Sequence, residues 1–519
     1  MKQNKFPIAT ILFLFLLFLN AQAQKIEVYP KTEFRGVWIA TVVNIDWPKT
    51  NTDSVVKQKA DYIEILNTYK ALNYNAVIVQ IRSVGDAFYP TKLAPWSRYL
   101  TGKEGQEPKP YYDTLAWMIS EAHERGFEFH AWLNPYRATF DTQTETLSPT
   151  HDYFKHPNWM IKYGEAGKEK FYYNPGLPEV QTHLLKIVDE VVKNYDIDAI
   201  HFDDYFYPYR VKGKEFNDSD SFKKYGKGLT IEDWRRSNVN TFVQSVYNTI
   251  KNTKPWVQFG ISPFGVWRNK SVDPKGSDTQ AGQTNYDDLY ADPLAWMEGK
   301  YVDYILPQLY WSIDHKTASY AKLLKWWSEN TLNTNLYIGN SSYKINADSD
   351  KKWNNPIEIP NQVDLCRSYK NVQGNAYFSA RSLLNKNKEV TQLLLEKQYK
   401  YPALPPTVPY AKKNNIEKPI VISISNTDTD YTVFIENPSK IKVRYIVIYG
   451  AKNNTLIDTE NPSQILDKII LKGNSISIPT EQVTNTTFIG ITFIDYFGNE
   501  SKATTLNLKK EIHNCKSHK

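Results

Sequence analysis

The sequence predicts an α/β protein in which a (β/α)₈ TIM barrel is followed by a small all-β sandwich of the immunoglobulin or fibronectin kind. Eight short apolar runs alternate with longer amphipathic segments over roughly 360 residues, as expected for a TIM barrel with enlarged loops. After a proline-rich stretch the pattern changes to strands only. We therefore place the barrel at 29–396, a linker at 397–415 and the sandwich at 416–510.

The barrel prediction depends on the alternation of strands and helices along the chain. The predicted strands are Phe34–Val43, Asn75–Ile81, Phe127–Leu133, Asp198–Asp203, Val257–Ser262, Tyr304–Leu309, Asn335–Gly339 and Asn375–Ser379. The predicted helices are Asp53–Leu72, Thr114–Arg125, Glu179–Tyr195, Ile231–Lys251, Thr317–Asn330 and Val363–Tyr369. A doubly wound open sheet is the alternative, but no glycine-rich phosphate loop follows any early strand, so the pattern favours the barrel.

Two local signals set the ends of predicted helices. Asp53 is a predicted N-cap, because Val56, Ile63 and Leu66 then follow near one helical face. The run Glu124–Gly126 predicts the end of another helix, because glycine readily adopts the left-handed conformation that closes many helices.

The last part of the chain is predicted to be a stiff linker and a sandwich. Tyr399–Tyr410 contains four prolines, which is typical of a stiff linker. The predicted strands beyond it are Ile420–Ile424, Tyr431–Glu436, Val443–Tyr449, Ser475–Ile478, Thr487–Ile494 and Thr504–Leu508. Phe493–Ser501 resembles the last hairpin of a fibronectin type III domain. We expect the sandwich to be a structural spacer, with glycan binding as the alternative.

The N-terminus has the pattern of a cleavable secretory signal. Lys2 and Lys5 precede the apolar run Ile8–Leu19, and small residues at Ala21 and Ala23 follow it. The run is short for a membrane span, and no second apolar stretch reaches the necessary length. We expect residues 1–23 to be removed near Ala23, and the mature chain to be exported to the periplasm or secreted, without a membrane span.

The composition excludes some classes of partner. Removal of the signal takes away two lysines and no acid, so the net charge falls from +7 to +5. The lysines are scattered rather than grouped, and no nucleic-acid partner is expected. Cys366 and Cys515 form neither a zinc spacing nor a disulfide framework, and a bond between them is left open. We expect a monomer that uses no cofactor and no metal.

The fourth predicted strand is the most informative one for chemistry. Side chains alternate along a strand, so Ile200 and Phe202 share one face while His201 and Asp203 share the other. If the apolar pair packs under helices, Asp203 points into the barrel at the C-terminal end of its strand, where TIM barrels carry their chemistry. The alternative interpretation of Asp203 and Asp204 is a solvated turn.

The same alternation gives other strands inward-facing polar side chains near their C-terminal ends. These residues are Gln80, Arg82, His130, Trp132, Asn134, Gln308 and Tyr310. Buried polar groups are costly without a partner or a use, so the repeated pattern favours a site, although each could be a satisfied core group. Loops add the carboxylates Asp46 and Asp86, the insertion Tyr136–Tyr173 as a groove wall, and Trp267 with Arg268 as a further wall.

Four blocks of the chain resemble a known family. They are Phe34-Arg-Gly-Val-Trp-Ile-Ala-Thr, His201-Phe-Asp-Asp-Tyr-Phe-Tyr-Pro, Ser262-Pro-Phe-Gly-Val-Trp-Arg-Asn and Pro307-Gln-Leu-Tyr-Trp. In this order they resemble the glycosyl-hydrolase-like family ten of exported bacterial proteins, over about residues 29–396. The resemblance implies a TIM barrel with glycosidase-type activity, and at least one enterobacterial member is associated with cleaving peptidoglycan strands stripped of their peptides. Many relatives are lipoproteins, whereas this chain has no cysteine near the predicted cleavage site.

We expect a glycoside hydrolase that cleaves O-glycosidic bonds of a polysaccharide, which normally requires one ionised and one protonated carboxyl group. Asp203 is the first candidate for the ionised nucleophile or base, and Asp204 is the second. Two adjacent acids raise one another's pKa, which could keep one of them protonated. Asp86, followed by Asp46, is the candidate general acid. The predicted substrate-binding residues are Arg82, His130, Asn134, Tyr136, His201, Trp267, Arg268, Gln308, Tyr310 and Trp311.

Two other functions are open at this stage. His130, His201, Asp203 and Asp204 could bind a divalent metal and support a polysaccharide deacetylase or a phosphodiesterase, although the chain lacks the H-E-x-x-H spacing. A non-catalytic, glycan-binding barrel is the other alternative.

Overall fold

The structure, a computed structural model, describes residues 29–452 and 455–508, without the side chains of Asn385 and Lys386. The predicted signal segment, 1–23, and Cys515 lie outside the described residues. The barrel and the strand-only region both belong to a unit that begins at Lys31. Within the two described ranges, no helix combines the length and the apolar character that a membrane span requires.

Eight parallel strands close into a barrel in the first part of the chain. They are β1 (Phe34–Ile39), β2 (Ala76–Arg82), β3 (Glu128–Leu133), β4 (Ala199–Phe202), β5 (Gln258–Ile261), β6 (Tyr304–Ile305), β7 (Asn335–Asn340) and β8 (Val372–Tyr377). Each strand pairs with its neighbours in sequence, and β8 pairs with β1 to close the sheet. The predicted barrel is therefore confirmed. β6 is shorter than predicted, because Pro307 lacks the backbone donor that the ladder needs.

Helices cover the barrel and occupy its loops. They are Val55–Ala71, Arg98–Thr101, Thr114–Glu124, Asp152–Lys155, Pro178–Asn194, Ser219–Tyr225, Ile231–Thr253, Asn285–Asp288, Pro293–Glu298, Tyr320–Glu329, Glu358–Arg367, Ala380–Lys386 and Lys388–Glu396. The first N-cap is Ser54, which accepts a hydrogen bond from the backbone N–H of Lys57 at 3.3 Å, and not the predicted Asp53. Asp53 instead pairs with the Lys57 ammonium at 2.8 Å. The predicted helix end is confirmed at Gly126, whose φ is 76°.

A chain of hydrogen-bonded polar groups runs through the interior of the barrel. The hydroxyl of Tyr304 lies 2.9 Å from Nδ1 of His130 and 2.9 Å from Nδ1 of His201. Nε2 of His130 lies 3.2 Å from the carboxylate of Glu128, and Nε2 of His201 lies 3.0 Å from Oγ of Ser262. These groups are paired with one another, which removes the cost of burying each of them alone.

The last part of the chain forms two antiparallel sheets. Its strands are β9 (Ile420–Asn426), β10 (Asp430–Glu436), β11 (Val443–Ala451), β12 (Ile465–Ile470), β13 (Ser475–Pro479), β14 (Phe488–Asp495) and β15 (Thr504–Asn507). One sheet has the order β9-β10-β13 and the other the order β12-β11-β14-β15. The sequence interpretation missed β12, because Ile-Leu-Asp-Lys-Ile-Ile does not alternate between apolar and polar residues. The fibronectin type III assignment stays a prediction.

The proline-rich segment packs against the start of the barrel. The backbone N–H of Leu404 donates to the carbonyl of Lys31 at 2.8 Å, and the carbonyl of Leu404 accepts from the N–H of Glu33 at 2.9 Å. The side chains of Leu404 and Tyr399 are buried. The segment therefore runs beside the residues that lead into β1.

Arg444 of β11 fixes the sandwich to the N-terminal end of the barrel. Its guanidinium lies 3.2 Å from the carboxylate of Asp198 and donates to the carbonyl of Asp196 at 3.0 Å. The Asp198 carboxylate also lies 2.8 Å from Nε2 of His123. Burial raises the pKa of Asp198, but Arg444 and His123 outweigh that effect and hold the pKa below its ordinary value. Because Arg444 is only 4% exposed, this is a buried ion pair.

Replacing this arginine tests how much the interface contributes to stability. We expect Arg444→Met to lower the free energy of unfolding by roughly 3 kcal/mol, because it leaves the Asp198 carboxylate buried without its main partner. Lys472→Met is the matched control: it removes an ion pair to Glu124 at 2.7 Å whose side chains are largely exposed, and it should cost under about 1 kcal/mol.

Urea denaturation measures both effects. Equal losses of unfolding free energy in the two variants would contradict the importance of the buried pair.

The contribution of the ion pair to stability depends on pH. Since the folded-state pKa of Asp198 is depressed, its stabilising contribution is present above the unfolded-state pKa and is lost as the pH falls toward the folded-state value. The difference between wild type and Arg444→Met should therefore shrink in acid.

Candidate active site

A cleft of about 370 Å³ lies at the C-terminal end of the barrel. The described residues that line it are Trp38, Val42, Ile45, Gln80, Trp132, Asn134, Arg137, Asp203, Asp204, Tyr205, Tyr209, Ser262, Gln308, Tyr310, Tyr343 and Phe378. All eight strands contribute, either directly or through the residues that follow them. This is the end of the barrel at which TIM-barrel enzymes carry their chemistry.

The acidic pair follows directly after β4 and is held by several hydrogen bonds. The backbone N–H of Asp204 donates to Oδ1 of Asp203 at 2.9 Å, and Nε2 of Gln308 donates to the same oxygen at 3.0 Å. Gln308 is itself fixed by a bond from Nε2 to the carbonyl of Ser262 at 3.0 Å. The hydroxyl of Tyr209 donates to Oδ2 of Asp204. Both residues line the cleft, and both carboxyl groups are held in place by these bonds.

The surroundings of the pair give its two members different affinities for a proton. Burial raises the pKa of Asp204, and the adjacent charge of Asp203 raises it further, well above the ordinary value. Burial also raises the pKa of Asp203 above its ordinary value, but hydrogen bonds from Asp204 and Gln308 and the charge of Arg137 oppose that rise and make it smaller than the rise at Asp204. Asp204 is therefore the member that holds a proton beside an ionised Asp203.

Arg137 supplies positive charge to the same cleft. Its guanidinium carbon lies 3.9 Å from the centre of the Tyr205 ring, and the residue is 6% exposed. Its charge lowers the pKa of both aspartates. The guanidinium thus favours an ionised carboxylate while lying flat on an aromatic face.

Aromatic rings form the deep wall of the cleft. The ring of Phe378 lies 6.2 Å from that of Trp38, 6.4 Å from that of Trp132 and 6.5 Å from that of Tyr310. Trp38 and Trp132 are buried, and Nε1 of Trp38 donates to Nε2 of His201 at 3.3 Å. Such flat apolar faces can pack against the C–H faces of a sugar ring.

Some of the predicted site residues meet in this cleft. They are Asp203, Asp204, Asn134, Gln308 and Tyr310. Each comes from a strand end at which the alternation rule aims a polar side chain inward, and their catalytic and binding roles stay predictions.

Arg82 and Asp86 lie outside the cleft as the described residues define it. The register of β2 on β3 shifts between Gln80 and Arg82, so the alternation that places Gln80 inward fails for Arg82. Arg82 donates to the carbonyl of Asp86 at 3.1 Å and to the hydroxyl of Tyr173 at 3.3 Å. The Asp86 carboxylate closes a turn by accepting the backbone N–H of Ser83 at 3.2 Å. This position gives no support to Asp86 as a general acid.

His130 and His201 belong to the interior chain beneath the cleft. Both are fully buried and hydrogen-bonded to Tyr304. Burial lowers the pKa of His201 well below the ordinary value, so its ring is neutral.

Asp46, the second candidate acid, accepts hydrogen bonds at 2.8 Å from the backbone N–H of Ala40 and from Oγ of Ser379.

The remaining predicted residues, Tyr136, Trp267, Arg268 and Trp311, also lie outside the described lining of the cleft. Tyr136 is fully buried. Trp267 stacks on Trp326 with 5.8 Å between ring centroids, and Trp311 packs edge-on against a phenylalanine. Arg268 is paired with two acidic side chains at 2.7 and 2.9 Å. The ion pairs of Arg268 lie within the segment between β5 and β6, and the ring contacts of Trp267 and Trp311 join that segment to later parts of the chain.

The sequence interpretation missed Arg137, Tyr205, Tyr209, Tyr343 and Phe378 as site residues. Tyr205 and Tyr209 could have been found by following the chain past the acidic pair, since both come within the next few residues. Arg137 lies at the start of the insertion that was predicted to wall a groove. Tyr343 and Phe378 follow β7 and β8, where no charged residue or repeated pattern marks them.

A metal centre finds no support among the described residues. Within 29–452 and 455–508, no group of three or more His, Cys, Asp or Glu side chains is placed to hold a metal ion. His130 and His201, two of the ligands in the metal alternative, are hydrogen-bonded to Tyr304 below the cleft.

The sequence profile of the family described as Glycosyl hydrolase-like 10 matches residues 33–355, more than half of the chain. The chain belongs to this family. It is 42% identical over 502 residues to Glycosyl hydrolase YngK of Bacillus subtilis (strain 168), and the match covers 94% of each chain. It is 39% identical over 383 residues to Glycosyl hydrolase DigH of Escherichia coli (strain K12), covering 69% of this chain and 84% of that protein.

A solved structure similar to this chain is the PgaB (BpsB) glycoside hydrolase domain from Bordetella bronchiseptica. The superposition has a TM-score of 0.44 with 11% sequence identity, and covers 70% of this chain and 98% of that domain. The family resemblance seen in the four sequence blocks is confirmed by the family profile and by the two hydrolase relatives.

The contact within the acidic pair can be tested by titration. We expect Asp203→Asn to lower the pKa of Asp204, because the substitution removes the neighbouring negative charge and leaves the burial in place. Carboxyl ¹³C chemical shifts of aspartate-labelled protein measure the change. Asp220→Asn, at an acid whose side chain is 95% exposed, is the control and should leave Asp204 unaltered. An Asp204 titration that is the same in wild type and Asp203→Asn would show that the two groups are not coupled.

Proposed function

We propose that the protein is an exported glycoside hydrolase that cleaves O-glycosidic bonds of a bacterial cell-envelope or environmental polysaccharide. In this proposal Asp204 is the proton donor and Asp203 the ionised partner, so Asp204 takes the role that the sequence prediction gave to Asp86. The observation that carries the proposal is the placement of these two adjacent carboxyl groups in an aromatic-lined cleft at the C-terminal end of a TIM barrel, where the backbone N–H of Asp204 donates to the Asp203 carboxylate. Membership of a glycosyl-hydrolase-like family supports it.

The substrate we propose is peptide-free peptidoglycan glycan. The resemblance of the four sequence blocks points to it, and the cleft of about 370 Å³ has the size of an ordinary small-ligand site. Asn134, Arg137 and Tyr310 are proposed to contact the sugar, and Gln308 to hold Asp203 in position. The signal-like N-terminus supports export, which N-terminal sequencing of the exported protein tests.

Substitution of either aspartate tests the proposal directly. We expect Asp203→Asn and Asp204→Asn each to lower kcat/KM by about 1,000-fold, because each removes one half of the acid and carboxylate pair. Mass spectrometry of products from peptide-free glycan, incubated with residues 24–519, measures the loss. Asp220→Asn, on the surface, should retain full activity. Intact glycan from the wild type, combined with measurable glycan binding, would instead support a non-catalytic barrel.

The pH dependence of the rate follows from the same pair. Activity requires Asp203 ionised and Asp204 protonated, so the rate should rise through the lower pKa of the pair and fall through the higher one. Gln308→Leu should move the lower limb toward higher pH, because the hydrogen bond from Gln308 lowers the pKa of Asp203. The measurement is kcat/KM against pH for the two proteins. If the acidic side of the kcat/KM profile rises at the same pH in both proteins, the assignment of Asp203 is contradicted.

A further inference from the structure

We propose that the carbonyl oxygen of the substrate's 2-acetamido group, rather than an enzyme carboxylate, attacks the anomeric carbon. This inference rests on the proposed glycoside hydrolase function, with its N-acetylated glycan as substrate, and deepens it by naming the nucleophile. Three observations carry it: the position of the two carboxyl groups, the different hydrogen-bond partners of Asp203 and Asp204, and the aromatic wall of the same cleft.

The position of the carboxyl groups does not suit a nucleophile or base supplied by the protein. In the ordinary mechanisms the two carboxyl groups flank the bond, about 5–5.5 Å apart with retention or about 6.5–9.5 Å apart with inversion. Here Asp203 and Asp204 are consecutive residues directly after β4, and the backbone N–H of Asp204 donates to the Asp203 carboxylate, so both groups enter the cleft from the end of one strand. Among the described residues, Asp203 and Asp204 are the only carboxyl groups that line it. Among the described residues, no further carboxylate therefore lines the cleft across from the acidic pair.

The pair does suit a reaction in which the substrate supplies the nucleophile. Such a reaction needs a proton donor for the leaving oxygen and an adjacent carboxylate for the amide N–H. Asp204 is buried and holds a proton, and its Oδ2 accepts a hydrogen bond from the hydroxyl of Tyr209. Asp203 accepts hydrogen bonds from Gln308 and from the Asp204 backbone, which oppose the effect of burial on its pKa and make it the more readily ionised member of the pair. An ionised Asp203 would orient the acetamido group and stabilise the positive charge that develops on it.

The aromatic wall fits the acetyl group. Phe378, Trp38 and Trp132 present apolar faces beside the acidic pair, and a methyl group buried there loses no hydrogen bond. Tyr310 lies in the same wall, and burial together with the charge of Asp203 raises the pKa of its hydroxyl well above the ordinary value. The hydroxyl therefore stays protonated and can donate a hydrogen bond to the substrate.

The proposed reaction has two displacements at the anomeric carbon. First, the acetamido oxygen bonds to that carbon while the bond to the leaving sugar breaks; the electron pair goes to the leaving oxygen, which takes the proton of Asp204. The result is a cyclic oxazolinium whose N–H donates to Asp203. Water then attacks the same carbon and gives a proton to Asp204, and the electron pair of the ring C–O bond returns to the acetamido oxygen. Two displacements give net retention of configuration.

The test compares peptide-free glycan with the same glycan after removal of its N-acetyl groups and after their replacement by trifluoroacetyl. Fluorine withdraws electrons from the carbonyl oxygen, and the free amine has no such oxygen. We expect the wild-type rate to fall at least about 100-fold on both altered glycans, and NMR to show that the first product keeps its anomeric configuration. A thiazoline analogue of N-acetylglucosamine, in which sulfur closes the ring, should bind the wild type and inhibit it competitively.

Variants and wild-type controls distinguish a wrong nucleophile from a wrong proposed function. Asp203→Asn should weaken thiazoline binding by about 10-fold or more in calorimetry, whereas Asp220→Asn should leave it unchanged. Absence of any cleavage by the wild type would overturn the proposed function and this inference with it. Cleavage with inversion, or undiminished cleavage of the de-N-acetylated glycan, would overturn only the present inference and leave the glycoside hydrolase standing.

Discussion

The hydrogen bonds of the Tyr304 hydroxyl inside the barrel are the interaction on which the rest of the structure depends. This one group contacts His130 and His201 at 2.9 Å each and so joins β3, β4 and β6 through the barrel interior. The second nitrogen of His201 meets Ser262, whose carbonyl accepts from Gln308. Loss of a member would leave buried polar atoms unpaired, at about 1–3 kcal/mol each. The position of Gln308, and through it of Asp203, is therefore set from the interior of the barrel.

β4 is held at both of its ends by charged groups. Asp198, which precedes it, lies in the ion pair with Arg444 of the sandwich. Asp203, which follows it, accepts the hydrogen bonds of the cleft. The strand between them has only four residues. Among the described residues, the sandwich therefore contacts the start of the strand whose other end leads into the acidic pair, without lining the cleft.

The sequence predicted those features that depend on local pattern. The barrel strands could be found because each is a short apolar run, and Asp203 because alternation from Ile200 and Phe202 continues to the strand end. The same rule failed for Arg82, since a register shift between strands leaves no mark in the sequence of one strand. Asp86 lies in the loop after a barrel strand, where a catalytic acid is expected, yet its carboxylate closes a turn. Phe378 enters the cleft directly after β8, where an apolar aromatic residue is not distinguished by sequence from an ordinary core residue.

The charges in the cleft explain why a pair of adjacent acids can work there at all. Two ionised carboxylates in contact within a buried site repel strongly, and Arg137, the cation of the described lining, balances one of them. The favoured state has one proton on the pair, and the charges of Asp203 and Arg137 then cancel, so the resting cleft buries no unbalanced ion. When Asp204 gives up its proton, a second negative charge appears as positive charge develops on the sugar. The new carboxylate therefore interacts with positive charge on the sugar at the transition state and not in the resting complex, which is the condition for catalysis.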